Sequence, residues 1–132
     1  MILVDSSAWI EFLRSTGSDV HLRLRGLLVA GDELYTTEVV LMEVLAGARS
    51  DREREELRRL LYGRCIFLSL QAPADYERAA ELYRRCHRGG ETVRKLTDCL
   101  IAVVAIREEV ELLHRDGDFA AIARHTPLRV VA

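Results

Sequence analysis

The sequence has no apolar run of about 18 or more residues, so no transmembrane helix is expected. It has no C-x-x-C pair. The three cysteines, Cys65, Cys86 and Cys99, are odd in number and widely spaced, which suggests neither a zinc ribbon nor a disulfide framework but reduced, mostly packed thiols. The first residues, "MILVDSSAWIEFLR", lack a basic leading region, and Asp5 interrupts their apolar run. No secretory signal is therefore expected, and the cytoplasm is the expected compartment. Repeats, low-complexity stretches and linkers are missing too, so the 132 residues are expected to form one domain, 1–132. Lysine is nearly absent: Lys95 stands alone against eighteen arginines. The net charge of −2 argues against a general binder of polyanions. The arginine excess fits either compositional bias or planar forks for phosphate, and composition does not separate the two.

What is present is a half-apolar chain, enough for a real core at this length. Short apolar runs alternate with segments of helical spacing. "MILVD", "ELYTT", "CIFLSL", "VELLH" and "LRVV" read as strands. Between them, "SAWIEFLR", "DVHLRLRGLLVAG", "EVVLMEVLAGA", "SDREREELRRLLYG", "PADYERAAELYRRCHR", "VRKLTDCLIAVVAIREE" and "FAAIARHT" read as helices. Ser6 or Ser7 is expected to cap the first helix, and Thr36 or Thr37 the third. The segment 93–109 is nearly all apolar and must be central. Alternation of this kind predicts a three-layer α/β/α sandwich around a largely parallel sheet. In such sheets a ligand crevice lies at the carboxyl ends of the strands.

Acids interrupt apolar surroundings at four places. Asp5 closes the first strand, Glu43 lies within "VVLMEVLAG", Asp98 within "KLTDCLIAVV", and Asp116 and Asp118 follow the fourth strand in "HRDGDF". An unpaired buried carboxylate costs several kcal/mol or takes up a proton. Any one of these acids is explained by an arginine partner or a helix cap. Four together call for a compensating cation, and oxygen donors without cysteine or several histidines suit Mg²⁺ or Mn²⁺. His114, the one imidazole nearby, fits a structural role better than a ligand's.

The segments "MILVDSSAWIEFLR", "EVVLMEVLAGA", "RRCHRGGETVRKLTDCLIAVVAIR" and "LLHRDGDFAAIARHTPL" resemble, in order and spacing, those of PIN-domain ribonucleases, and among them the VapC toxins of type II toxin–antitoxin pairs. The resemblance implies a PIN-like fold with Asp5, Glu43 and Asp98 as the first three acidic site residues. For the fourth, Asp116 lies nearer the strand end, whereas Asp118 precedes Phe119, where many PIN domains place the acid; both are carried as metal ligands. Ser7 matches a hydroxyl residue that orients the first aspartate, a role compatible with a plain cap. Arg88, Arg94, Lys95 and Arg115 are the implied contacts to the RNA backbone.

The implied activity is metal-dependent endoribonuclease cleavage of structured RNA, a tRNA or a ribosomal RNA loop, by metal-activated water. The implied partners are a cognate VapB-type antitoxin and a second copy of the chain in a homodimer. The antitoxin's docking surface is expected along "EVVLMEVLAGA" and "REELRRLLYG", with Leu57 and Leu61 in contact and Trp9 and Phe12 nearby. Two rival readings fit less well. A receiver-like signalling domain needs an aspartate closing the third strand and a lysine after a late strand; "CIFLSLQA" has no acid, and the only lysine is Lys95. An aspartyl-phosphate phosphatase needs D-x-D after the first strand, where this chain has D-S-S.

Overall fold

A computed structural model describes residues 1–131. The expected domain 1–132 thus ends on a residue, Ala132, outside the described ones. The chain runs β1 (Ile2–Val4), α1 (Ser6–Leu13), α2 (Asp19–Ala30), β2 (Leu34–Thr36), α3 (Glu38–Ala46), α4 (Asp51–Arg64), β3 (Cys65–Phe67), α5 (Ala74–Arg88), α6 (Leu96–Arg107), β4 (Glu111–Leu113) and α7 (Gly117–His125). The strands form one sheet in the order β3-β2-β1-β4, and every pairing is parallel. Helices cover both faces, giving the three-layer arrangement that the alternation predicts.

Strand order places the crevice. From β1 the chain moves outward to β2 and β3, then returns to lay β4 on the other side of β1. The direction of winding therefore reverses between β1 and β4, and ligands bind at such a reversal, beyond the carboxyl ends of the strands. Val4 is in register with Leu113, and the Asp5 amide donates to the Leu113 carbonyl at 2.9 Å. Residues 5–7 and 114–118 consequently emerge side by side.

Local chemistry decides where the helices start and stop. The cap of α1 is Asp5, not Ser6 or Ser7: its extended backbone (φ −73°, ψ 158°) turns the carboxylate onto the Ser7 amide, and both serines fall inside the first turn. Thr37 stands at the cap position of α3, but its hydroxyl donates to the Glu38 carboxylate at 3.2 Å rather than accepting a helix amide. Ser18 and Ser50 cap α2 and α4, and Gly31, at φ +73°, ends α2 in the left-handed conformation. The helix α6 begins at Leu96 rather than Val93, because the amides of Arg94 and Lys95 are spent on the Asp118 carboxylate. The expected strand 128–131 reduces to a bridge between Val130 and Leu112, held by two backbone bonds beside β4.

The core confirms the central place of α6. Cys99, Ile101, Ala102, Val103, Val104 and Ala105 are all buried, and the helix packs on α3, α5, α7 and β4. Arg107, at its end, forms a buried ion pair with Asp75 of α5 at 3.0 Å. The three cysteines are free thiols, and burial pushes Cys65 up to about 11 and Cys99 up to about 12. The expected antitoxin contacts need correcting. Leu57, Leu61 and Trp9 belong to this core, at 3%, 0% and 0% exposure. They face inward, because the apolar stripe of α4 is what packs the helix onto the domain. A glutamate at position 57 or 61 would bury a charge and unfold the chain rather than probe a surface. On these two helices the exposed apolar side chains are Met42 and Tyr62. Among the described residues no helix is long and apolar enough to cross a membrane.

Candidate active site

Five acidic side chains converge on the rim between β1 and β4. Asp5 follows β1, Glu43 comes from α3, Asp98 from the first turn of α6, Asp116 caps α7, and Asp118 lies one residue into it. Asp98, Asp116 and Asp118 each offer an oxygen within 4.8 Å of the others. Asp5 lies close enough to raise both Glu43 and Asp98 through its charge.

The hydrogen bonds give each acid a different situation. Asp5 Oδ2 accepts from the Ser7 amide at 3.0 Å and the Ser7 hydroxyl at 2.6 Å, and that hydroxyl accepts in turn from the Arg115 amide at 2.9 Å. Glu43 is held at both oxygens, by the Ser6 hydroxyl at 3.2 Å and the Thr97 hydroxyl at 3.3 Å. Asp116 takes the Asp118 amide on Oδ1 and the Lys95 ammonium, 2.8 Å away, on Oδ2. Asp118 accepts the Arg94 and Lys95 amides on Oδ2, both at 3.1 Å, and Arg94 Nε on Oδ1 at 3.3 Å. Of the two aspartates in "RDGDF", Asp116 thus faces the cluster, and Asp118 clasps the backbone leading into α6.

Asp98 is the exception. It is 1% exposed, and neither of its oxygens has a hydrogen-bond partner among the described residues. The second oxygen of Asp5 is equally buried and unpartnered. Burial, reinforced by the Asp116 charge and only partly opposed by Lys95, pushes Asp98 up to about 8. Burial also raises Asp5 and Glu43, against the Ser7 bonds in the first case and with the Asp5 charge in the second. Asp116 behaves oppositely: burial pulls it up, but the Lys95 ammonium and the Asp118 amide outweigh that and hold it below the usual carboxylate range. Alone, the cluster keeps a proton because its charges cannot all be tolerated together.

Buried, acceptor-only oxygens with no donor are what a hard cation needs, and the donor set is all carboxylate. The residues therefore fit a divalent metal. His114 stands outside the acid set. Its Nδ1 accepts from the Asp116 amide at 3.1 Å, its ring lies against Phe119, and burial holds it below the ordinary histidine range despite the nearby acids.

The four basic residues separate. Lys95 points into the cluster. Arg94 bridges Asp118 and, at 3.7 Å, Asp116, with three-quarters of its side chain in solvent. Arg115 pairs with Glu11 at the rim, and Arg88 with Glu81 on its own helix. Of the partners of Glu43, Ser6 reads from the sequence only as a candidate helix cap, and Thr97 carries no expected role. Each is a hydroxyl directly before a residue already of interest, in "DSS" and "LTD", which is the only local trace they leave.

The chain is similar to known proteins along nearly all of its length. A family model described as the PIN domain matches residues 2–125. Ribonuclease VapC11 of Mycobacterium tuberculosis is 42% identical over 133 residues, spanning all of this chain and 98% of that one. Among solved structures, VapBC2 from Rickettsia felis, bound to a DNA fragment from its promoter, superposes with a TM-score of 0.75 at 18% identity over 99% of this chain and 98% of that one. VapC20 of Mycobacterium tuberculosis, a Sarcin-Ricin loop cleaving toxin, superposes with a TM-score of 0.69 at 20% identity over 98% and 99%. At such identities the superpositions speak to the fold.

Proposed function

Since the chain belongs to the PIN-domain family, in its VapC branch, we propose that it is the endoribonuclease toxin of a toxin–antitoxin pair, cutting structured RNA and thereby blocking translation. The observation that carries this is the pair of buried acids, Asp5 and Asp98, with unpartnered oxygens at the β1–β4 crevice. Asp5, Glu43, Asp98 and Asp116 are the residues that would hold Mg²⁺ or Mn²⁺. When bound, such an ion lowers the pKa of a coordinated water and neutralises charge on the phosphoryl oxygens.

The protein's own part is to hold the donors in place. Ser7 fixes Asp5, Ser6 and Thr97 fix Glu43, and the Asp118 amide fixes Asp116, so these carboxylates would meet an ion already oriented. Asp118 contributes through the backbone it clasps, and it also offers an oxygen to the group formed with Asp98 and Asp116. Arg94 and Arg115, more than half exposed beside the acids, would meet RNA phosphates, and Arg88, exposed at the end of α5, would add a further phosphate contact. Folded RNA loops present unstacked bases and an open backbone, so a tRNA or a ribosomal RNA loop is the proposed substrate. The whole chain acts as one domain and as a homodimer in the cytoplasm, held inactive by a cognate VapB-type antitoxin. VapBC2 of Rickettsia felis is the structural precedent for the pairing.

The test is cleavage of total cellular RNA by the purified chain, freed of antitoxin, with Mg²⁺, with Mn²⁺ and with EDTA, beside Asp5→Asn. Discrete fragments that need metal and vanish in Asp5→Asn are expected, and their ends name the substrate. Fragments that persist in EDTA or in Asp5→Asn would refute the assignment.

A further inference from the structure

Two cations approach the acid cluster, Lys95 and Arg94, and Lys95 differs from the arginine in every respect that matters. Its Nζ lies 2.8 Å from Asp116 Oδ2 and 3.8 Å from Asp98 Oδ1, so the ammonium sits between the two acids. Its main chain is fixed: the amide donates to Asp118, and the residue occupies the cap position of α6. Its side chain is not fixed, being half exposed with no protein acceptor beyond those acids among the described residues. Arg94, by contrast, is tied through Nε to Asp118 and touches the cluster only from outside. An ammonium is a compact point charge on a flexible stem; a guanidinium is a planar fork that binds in two places at once. A chain with eighteen arginines places its single lysine at this position.

We propose that Lys95 is a built-in counter-cation that occupies the acid cluster in the metal-free protein, and that a divalent ion must displace it, so that Lys95 sets the protein's metal affinity. The charge count supports this. One ammonium is shared between Asp98 and Asp116, Arg94 reaches Asp116 only from outside at 3.7 Å, and no cation lies at hydrogen-bonding distance from Asp98 among the described residues. Lys95 reaches Asp98 only at ion-pair distance and leaves both of its oxygens without a hydrogen bond. A divalent ion offers what the lysine does not: two charges, and direct bonds to oxygens that have no partner. Nothing in the fold has to rearrange for the exchange, since the lysine stem can swing into solvent while its backbone stays clasped.

The inference rests on reading the cluster as a divalent-metal site, and the experiment separates the two. Mn²⁺ would be titrated calorimetrically into the whole chain, purified free of antitoxin, as wild type, Lys95→Met, Lys95→Gln and Lys95→Arg, with melting temperatures taken in EDTA and in Mn²⁺. Both neutral variants are expected to bind Mn²⁺ about tenfold tighter or more, because a unit charge a few ångströms away is removed. They should melt lower than wild type in EDTA and gain more on adding Mn²⁺, while Lys95→Arg binds no tighter than wild type. Wild type that binds Mn²⁺ alongside neutral variants of equal or weaker affinity would overturn the role of Lys95 and leave the metal site standing. No Mn²⁺ binding in wild type or in any variant would remove the metal site and this inference with it.

Discussion

Asp98→Asn should make the metal-free protein more stable at high pH, and the size of the effect can be worked from its surroundings. Burial and the neighbouring Asp116 charge raise Asp98 from an ordinary 3.8 to about 8. A carboxyl with a raised folded pKa holds its proton more tightly folded than unfolded. Below pH 4 it is protonated in both states and contributes nothing. Between pH 4 and 8 the unfolded chain has released the proton and the folded chain has not, so stability falls by about 1.4 kcal/mol per pH unit. Above pH 8 the penalty is complete.

Asparagine removes this titration. It adds a constant cost, because its amide takes the place of oxygens with no hydrogen-bond partner among the described residues, and an unsatisfied buried polar group costs about 1–3 kcal/mol. The constant cost cancels when two pH values are compared. From pH 5 to pH 8 the difference between variant and wild type should move in favour of asparagine by about 4 kcal/mol if Asp98 holds the proton alone. If the proton is shared across the coupled cluster, about 2 kcal/mol is expected. At roughly 4 °C per kcal/mol for a chain of this size, that is a relative shift of roughly 8 to 16 °C in melting temperature. The assay is thermal melting in EDTA at pH 5, 6, 7 and 8, and saturating Mn²⁺ should reverse the order at pH 8 by stabilising only the wild type. An offset between the two proteins that stayed constant across pH would refute the reasoning, since it would mean that Asp98 ionises as an ordinary surface carboxylate does.

The two aspartates of "RDGDF" should separate by phenotype. Asp118→Ala removes three acceptor contacts, two of them to backbone amides, and should cost about 2–4 kcal/mol in urea denaturation. Asp116→Asn should leave stability within about 1 kcal/mol while weakening Mn²⁺ binding at least about tenfold by calorimetry; the opposite pattern would make Asp118 the ligand. Ser7→Ala loses the 2.6 Å bond to Asp5 and the acceptor for the Arg115 amide. It should reduce metal affinity and RNA cleavage about 10- to 100-fold for only about 1 kcal/mol of stability, whereas unchanged metal affinity would reduce Ser7 to a helix residue.

The sequence made some of this legible and concealed the rest for physical reasons. Alternating short apolar runs and helical spacings suffice for a parallel sheet, because parallel neighbours need crossovers. The acids at strand ends follow from the same pattern. Capping was harder to read, since Asp5, Ser6 and Ser7 are three consecutive residues able to cap, and only the turn of the backbone selects Asp5. The stripe on α4 shows in the spacing of Leu57 and Leu61, but spacing does not say whether a stripe meets the core or a partner. Lys95 was the least legible. Arg94 and Lys95 are adjacent basic residues, and what sends one outward and the other inward is Asp118, 23 residues beyond Lys95 in the chain. A contact that distant leaves no periodic trace.

That same contact explains why two like charges stand one residue apart at the mouth of the core. Repulsion between Asp116 and Asp118 is offset because they are answered by different groups. Asp118 is neutralised by two amides and Arg94, which fixes residues 94 and 95, leaves Lys95 extended and starts α6 at Leu96. That path sets the Lys95 stem over Asp116 and brings Asp98, in the first turn of α6, up to the same point. One aspartate builds the frame, and the other supplies charge within it. The glycine between them is the first residue of α7, so the cap and the clasp are made within a single turn. Replacing Asp98 with an apolar residue should stabilise the metal-free chain, since among the described residues its buried oxygens meet only the Lys95 ammonium, at 3.8 Å, and the neighbouring Asp116 carboxyl. An acid kept at such a cost is explained by a cation that only function supplies.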